Sequence, residues 1–197
     1  MVPPVRDITA QGYDLQFGTN VLGHFYLTKL LLPALLDGSK SSPDGWARVV
    51  NTSSAMAGLG KKINFDTLTD TPERKKQIAW QLYGQSKLGN VLFSDELARR
   101  YGHDGIISIS LNPGNLRTEL GRSLSKFEAA VIYPVLHPVH LGALTQLWAG
   151  TSPEAVSMNG KYLVPWARVG KTRPGGDDSS KLSGELWTWM DNQVSNF

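Results

Sequence analysis

Tyr83 and Lys87 stand four residues apart in Tyr83-Gly84-Gln85-Ser86-Lys87. On a helix that spacing puts both on one face, with about 5–6 Å between Cβ atoms. A phenol ordinarily keeps its proton to a pH near 10, too high for acid–base work at neutrality. An ammonium one turn away favours the phenolate and lowers that value, so the pair can exchange a proton with a substrate oxygen. Alone, Tyr-x-x-x-Lys is a weak signal, because any helix can carry a half-buried phenol above a surface lysine.

Three further segments strengthen it. Arg48-Val49-Val50-Asn51-Thr52-Ser53-Ser54 reads as a strand that delivers a hydroxyl to its C-terminal end, the edge at which open α/β sheets bind ligands. Thr19-Asn20-Val21-Leu22-Gly23-His24-Phe25 sets an amide inside an apolar helix, where it must find hydrogen bonds and opposes helix formation locally. Asn112-Pro113-Gly114-Asn115-Leu116-Arg117-Thr118 is a second strand-end loop, with a hydroxyl and free backbone N–H groups.

The elements that must position these groups alternate helix and strand, which predicts an α/β layered fold. Thr9 is placed to cap a helix carrying Leu15, Val21, Leu22, Phe25, Leu30, Leu31 and Leu35, and its broad apolar surface predicts burial. Ser39 to Gly45 is a loop, and Arg48 to Thr52 a parallel strand. Thr71-Pro72-Glu73 is a helix start, with a cap, a proline at the first position and an acid in the first turn. A helix follows over 81–101, a turn at Asp104-Gly105, a strand over Ile106–Leu111 and a last strand over Lys161–Val164. An amphipathic helix over 181–194 turns Leu182, Leu186, Trp187 and Met190 to one side. Three parallel strands leave a wet, unpaired edge, whereas parallel sheets are normally covered and belong to larger structures.

The order Asn20, Ser54, Tyr83-x-x-x-Lys87, Pro113-Gly114-x-x-x-Thr118 resembles the short-chain dehydrogenase/reductase family. It is similar in particular to the retinol-dehydrogenase-like and fungal branches, which share the run from Gln16 to Phe25 and a long stretch between Ser54 and Tyr83 with Lys62-Ile63-Asn64-Phe65. The resemblance extends from the start of the chain to about Val164. It implies an NAD(P)-dependent oxidoreductase interconverting a carbonyl and an alcohol. Tyr83 would move the proton at the substrate oxygen, and Lys87 would lower the Tyr83 pKa and bind the nicotinamide ribose. Ser54 would hydrogen-bond the reacting group, and Asn20 would hold a water linking Lys87 to solvent. Pro113, Gly114, Leu116 and Thr118, with Tyr83 and Lys87, would lie along the cofactor, NADP in preference to NAD. The segment from Glu119 to His140, within a substrate-loop and helical region over 119–150, has the apolar content for a lipophilic substrate. Pairing into a homodimer would use the helices carrying Asn20 and Tyr83.

The family pattern also includes a glycine-rich turn after its first strand, an acidic or basic selector after its second and an Asn-Ala-Gly run after its fourth. This sequence contains none of them. Gly58-Leu59-Gly60 is not a pyrophosphate cradle, because Ile63 stands where the third glycine belongs and no helix is predicted to follow. The expectation is therefore a single catalytic domain over 1–197, the C-terminal part of a Rossmann-type doubly wound parallel sheet. Its first strands would lie in a longer protein of which Met1 is an internal residue, whether by truncation, alternative start or gene-model error. This chain by itself is expected to bind NADP or NAD weakly. The alternative function is a catalytically impaired remnant that acts, if at all, by pairing with a full-length subunit.

Composition excludes other classes. A 197-residue chain that is 41% apolar can bury a core. Its 20 Lys and Arg against 17 Asp and Glu leave +3, scattered along the chain, which does not suit nucleic acid. With 0 Cys there is no disulfide, zinc–thiolate site or thiol nucleophile. The N-terminus lacks the basic-then-apolar pattern of a signal peptide, and the expected location is intracellular and cytoplasmic. Ala129 to Ser152 carries no charged residue, but Pro134 and Pro138 divide it, which predicts two short buried helices rather than a membrane span. His137 and His140, with a proline between them and no nearby carboxylate, make a poor metal site. His24 is expected in the core, and Trp80, Trp148, Trp166, Trp187 and Trp189 in core or interface. Asn51-Thr52-Ser53 matches a glycosylation sequon by chance, at the end of a buried strand.

Overall fold

In the computed structural model, residues 2–60, 62–118, 133–170, 176 and 178–195 are described. Helices α1 (Leu15–Phe17) and α2 (Gly23–Ser41) are joined without a break by a π-helical turn over Gly18–Leu22. Strand β1 (Ala47–Thr52) is followed by the short helix α3 (Pro72–Lys75) and the long helix α4 (Ala79–Tyr101). Strand β2 (Ile106–Leu111), helix α5 (Gly142–Thr151), strands β3 (Tyr162–Val164) and β4 (Arg168–Val169) and helix α6 (Ser179–Val194) complete it.

The sheet runs β1-β2-β3-β4. β1 pairs with β2 in parallel, from Ala47 against Ile106 to Thr52 against Leu111, and β2 pairs with β3 in parallel. Every residue of β2 is buried, as expected of an inner parallel strand covered on both faces. Ile107, Ile109 and Leu111 pack with Ala149 of α5, Ala155 and Leu163 on one face. The other face is a layer of α2, α4 and α6, in which Phe25, Leu88, Leu92, Phe93, Trp187 and Met190 are buried together. Small side chains bring α4 close. The Ser94 and Ser108 hydroxyls hydrogen-bond at 2.8 Å, and a Cβ on Gly89 would lie 2.9 Å from Val21.

Several sequence expectations change here. The sheet has a fourth strand that was not expected, β4, exposed and antiparallel to β3. Thr9 accepts from the Tyr13 N–H in a turn, and it is the Asp14 carboxylate that caps α1, accepting from Gln16 and Phe17. The apolar surface of α2 is not largely buried: Leu27, Leu30 and Leu31 are 55%, 62% and 47% exposed. Of the stretch expected as two short buried helices, 129–132 lie outside the described residues; the rest is two 3₁₀ turns, at Tyr133–Val135 and Val139–Leu141, and α5, with Val135, Val139, Leu144 and Leu147 exposed. His24 is exposed rather than in the core. The helix start at Thr71 holds, its hydroxyl accepting from the Arg74 N–H at 3.1 Å. Among the described residues no helix is long and apolar enough to cross a membrane. Asn51, of the sequon, is buried with its amide directed to Ser108.

Candidate active site

β1 and β2 end side by side, so Ser53-Ser54 and the Asn112–Thr118 loop leave the same edge of the sheet. α4 crosses that edge. The Ser53 hydroxyl donates to the Lys87 carbonyl at 2.6 Å, and Lys87 Nζ donates back to the Thr52 carbonyl at 3.1 Å. Tyr162 of β3 donates its hydroxyl to the Ser54 carbonyl at 3.0 Å. The end of β1 is thereby held from α4 and β3, and the Ser54 hydroxyl accepts from the Met56 N–H at 3.2 Å.

Tyr83 is 6% exposed and the Ser54 side chain is near enough to favour its phenolate, which brings together two of the groups the sequence singled out. Lys87 Nζ lies 5.9 Å from the centre of the Tyr83 ring. Burial pushes the Tyr83 pKa up, and the Ser54 side chain works against it without prevailing. The expected lowering by Lys87 does not show in Tyr83; Lys87 Nζ donates to the Thr52 carbonyl and lies 3.5 Å from Asn90 Oδ1. Burial brings Lys87 itself down to about 8.

Asn20 sits in the π-helical turn, half-buried. Its side chain donates to Ser86 Oγ at 3.0 Å, and Ser86 donates to the Tyr83 carbonyl at 2.8 Å. The Asn20 main-chain carbonyl accepts from Asn90 Nδ2. Asn20 therefore meets Lys87 through Asn90, a residue that sequence reasoning passed over because it lies in an apolar stretch. His24, one turn beyond Asn20, is exposed at its surface but partly screened from water by its neighbours, and that desolvation first and the Lys87 charge second lower its pKa.

Of the cofactor candidates, Pro113 and Gly114 lie at the shared edge. Gly114 has φ +102°, and a Cβ there would come within 3.1 Å of Pro165, so the loop requires glycine. Its N–H is held by Asn112 Oδ1 at 3.0 Å. Leu116 packs against Gly142 at the start of α5, and Thr118 is exposed. The expected substrate loop lies over 119–132 outside the described residues. Trp80 is not in the core of the chain. It is 44% exposed and meets the Tyr83 ring edge-on at 5.9 Å, beside a groove of about 360 Å³ lined by Met56, Leu59 and Ile78. His137 stands edge-on to Trp166 at 5.1 Å.

This arrangement, a phenol beside a serine hydroxyl with a depressed ammonium one turn on, at the C-terminal edge of a doubly wound parallel sheet, defines a class, and known proteins of that class are similar to this chain. No family model matches it. It is 52% identical over 197 residues to a short-chain dehydrogenase/reductase of Armillaria gallica, covering 100% of this chain and 62% of that protein. One of Emericella nidulans is 36% identical over 203 residues, covering 100% of this chain and 64% of the relative. An uncharacterized protein from Mycobacterium paratuberculosis superposes with a TM-score of 0.68 at 26% identity, over 98% of this chain and 63% of that one. The chain belongs to the short-chain dehydrogenase/reductase family and spans about 62% of the length of the first of these curated relatives.

Proposed function

We propose that this site serves an NAD(P)-dependent oxidoreductase that interconverts a lipophilic carbonyl and its alcohol, with Tyr83, Ser54, Lys87 and Asn20 as its working groups. The observation that carries this reading is that Tyr83 and Lys87 share one face of α4 at the sheet edge where Ser54 leaves β1, with Lys87 Nζ 5.9 Å from the Tyr83 ring and the Ser54 side chain near enough to act on the phenol. Ser54 donates to or accepts from the reacting oxygen, since its second neighbour is only the Met56 N–H. Tyr83, holding its proton above the ordinary value, delivers it to that oxygen during reduction and recovers it during oxidation. Lys87 has an N–H left beyond its Thr52 and Asn90 contacts for a ribose hydroxyl. The glycine-only approach at Gly114 suits a flat ring laid against the backbone. When bound, the cofactor supplies hydride transfer. The groove beside Trp80 takes the apolar part of the substrate.

A second reading, the impaired chain that acts only by pairing with a longer subunit, is favoured by the exposed Leu27, Leu30 and Leu31 on α2. On α4 the stretch from Leu88 to Ala98 is buried by its own chain, which leaves the first turn, with Trp80 and Gln81, exposed. Titration with NADPH and NADH, followed by thermal unfolding, separates the two. Cofactor at 100 times its dissociation constant stabilises by about 2.7 kcal/mol. No shift with either cofactor moves the conclusion to the second reading. Where binding occurs, Tyr83→Phe is expected to lower carbonyl reduction by about 10²–10⁴-fold with unchanged circular dichroism. Retained turnover removes Tyr83 from its role.

A further inference from the structure

The link between Lys87 and Asn20 runs through a third side chain, and its direction is decided by chemistry. Asn90 is fully buried on α4. A main-chain carbonyl can only accept, so the group that Asn90 presents to Asn20 must be its NH2, at 2.5 Å. The amide oxygen then has to point the other way, and it lies 3.5 Å from Lys87 Nζ. An ammonium can only donate, so both ends of the amide are matched without any choice of flip. The π-helical turn over Gly18–Leu22 contributes to this. There the hydrogen bonds run five residues back, as from the Gly23 N–H to the Gly18 carbonyl. Such a turn departs from the regular helical ladder and recurs at functional sites. The close crossing is kept by Gly89, whose Cβ would collide with Val21.

We propose that Asn90 is a positioning residue for Lys87, its amide clamped between the ammonium and the Asn20 carbonyl so that Nζ is held at the end of β1 within reach of the Tyr83 site. The proposal rests on the functional reading above for its purpose but not for its test. Among the described residues Lys87 meets no carboxylate; the Thr52 carbonyl and the Asn90 amide are its acceptors, with the Tyr83 ring beside it and His24 of α2 close enough to feel its charge. An ammonium with so few acceptors responds sharply when one of them is changed.

The experiment follows the side-chain NMR shifts of Lys87 across pH in the full chain, with Lys87→Met identifying its resonance. In the wild type the midpoint is expected at about 8. Asn90→Leu keeps the volume and removes the acceptor, and the midpoint is expected to fall. Asn90→Asp places a carboxylate against the ammonium, and the midpoint is expected to rise by about 1–3 pH units. A midpoint unmoved in both variants overturns the proposal. If the leucine variant does not fold, the aspartate variant decides alone, a rise supporting the clamp and an unchanged midpoint ending it. Because no turnover enters the measurement, a chain that proves inactive while Lys87 titrates as stated would refute the proposed function and leave Asn90 in place.

Discussion

Arg74 and Lys87 are both cations drawn out of water, and the molecule treats them in opposite ways. Arg74 is 0% exposed at the side chain and pairs with two carboxylates, Asp14 Oδ2 at 3.3 Å and Asp70 Oδ1 at 3.0 Å. It also donates to the main-chain carbonyls of Val5 and Asp7, fastening the segment before α1 onto α3. Lys87 is half-buried and is given only a carbonyl and an amide oxygen. A guanidinium stays charged wherever it is placed. An ammonium with neutral acceptors can lose its proton, and this one is brought down to about 8. A buried cation that meets carboxylates holds the chain together, whereas one that meets only neutral oxygens is available for chemistry.

The sharpest way to break this comparison is to replace each cation by methionine and measure urea unfolding. Arg74→Met leaves the Asp14 carboxylate buried beside the helix start without its counter-charge. Removing one member of such a pair costs about 3–5 kcal/mol. Lys87→Met removes a poorly solvated charge that no carboxylate offsets, so stability at neutral pH is expected to stay within about 1 kcal/mol of the wild type or to rise. Equal losses in the two variants would mean that both cations are structural.

The dependence on pH sharpens the same point. Lys87 moves from an ordinary 10.5 to about 8 in the folded chain. Between those values the unfolded chain holds a proton that the folded chain has released, so stability rises with pH across that window. The rise amounts to roughly 3 kcal/mol at about 1.4 kcal/mol per pH unit. Unfolding free energies measured from pH 7 to 10.5 should climb in the wild type and climb less in Lys87→Met. Parallel curves would show that Lys87 titrates normally.

How much of this could be seen in the sequence differs between the two cations for a physical reason. Tyr83, Lys87 and Ser54 were legible because helix periodicity and a strand end act over a few residues, and the structure brings them to one edge. Arg74 was invisible as a core residue. In Pro72-Glu73-Arg74-Lys75-Lys76 it reads as one more exposed basic residue, and its burial depends on carbonyls at Val5 and Asp7 that the chain returns from far away. Asn90 was hidden in the same way, since its partner Asn20, in the π-helical turn before α2, is remote in sequence. The broad apolar surface of α2 misled in the opposite direction. Periodicity states which face wants covering, but not whether a partner in the chain covers it, and Leu27, Leu30 and Leu31 remain exposed.

The smallest expected effect concerns the carboxylate opposite Arg74. Burial pushes the Asp14 pKa up even against the Phe17 and Gln16 N–H groups and Arg74, so the charge itself is poorly tolerated there. Asp70, at the surface, is held below the ordinary range, first by its hydrogen bond to Arg74. Asp14→Asn keeps an oxygen to cap α1 and leaves Arg74 its other acceptors. The loss is expected to be only about 1 kcal/mol, well short of Arg74→Met. Asp14→Ala removes the cap as well and should cost about 1 kcal/mol more. Thermal unfolding of the two variants resolves that difference. An asparagine variant as damaged as Arg74→Met would show that the ionic pair, rather than the hydrogen bonds it makes, holds the N-terminal segment in place.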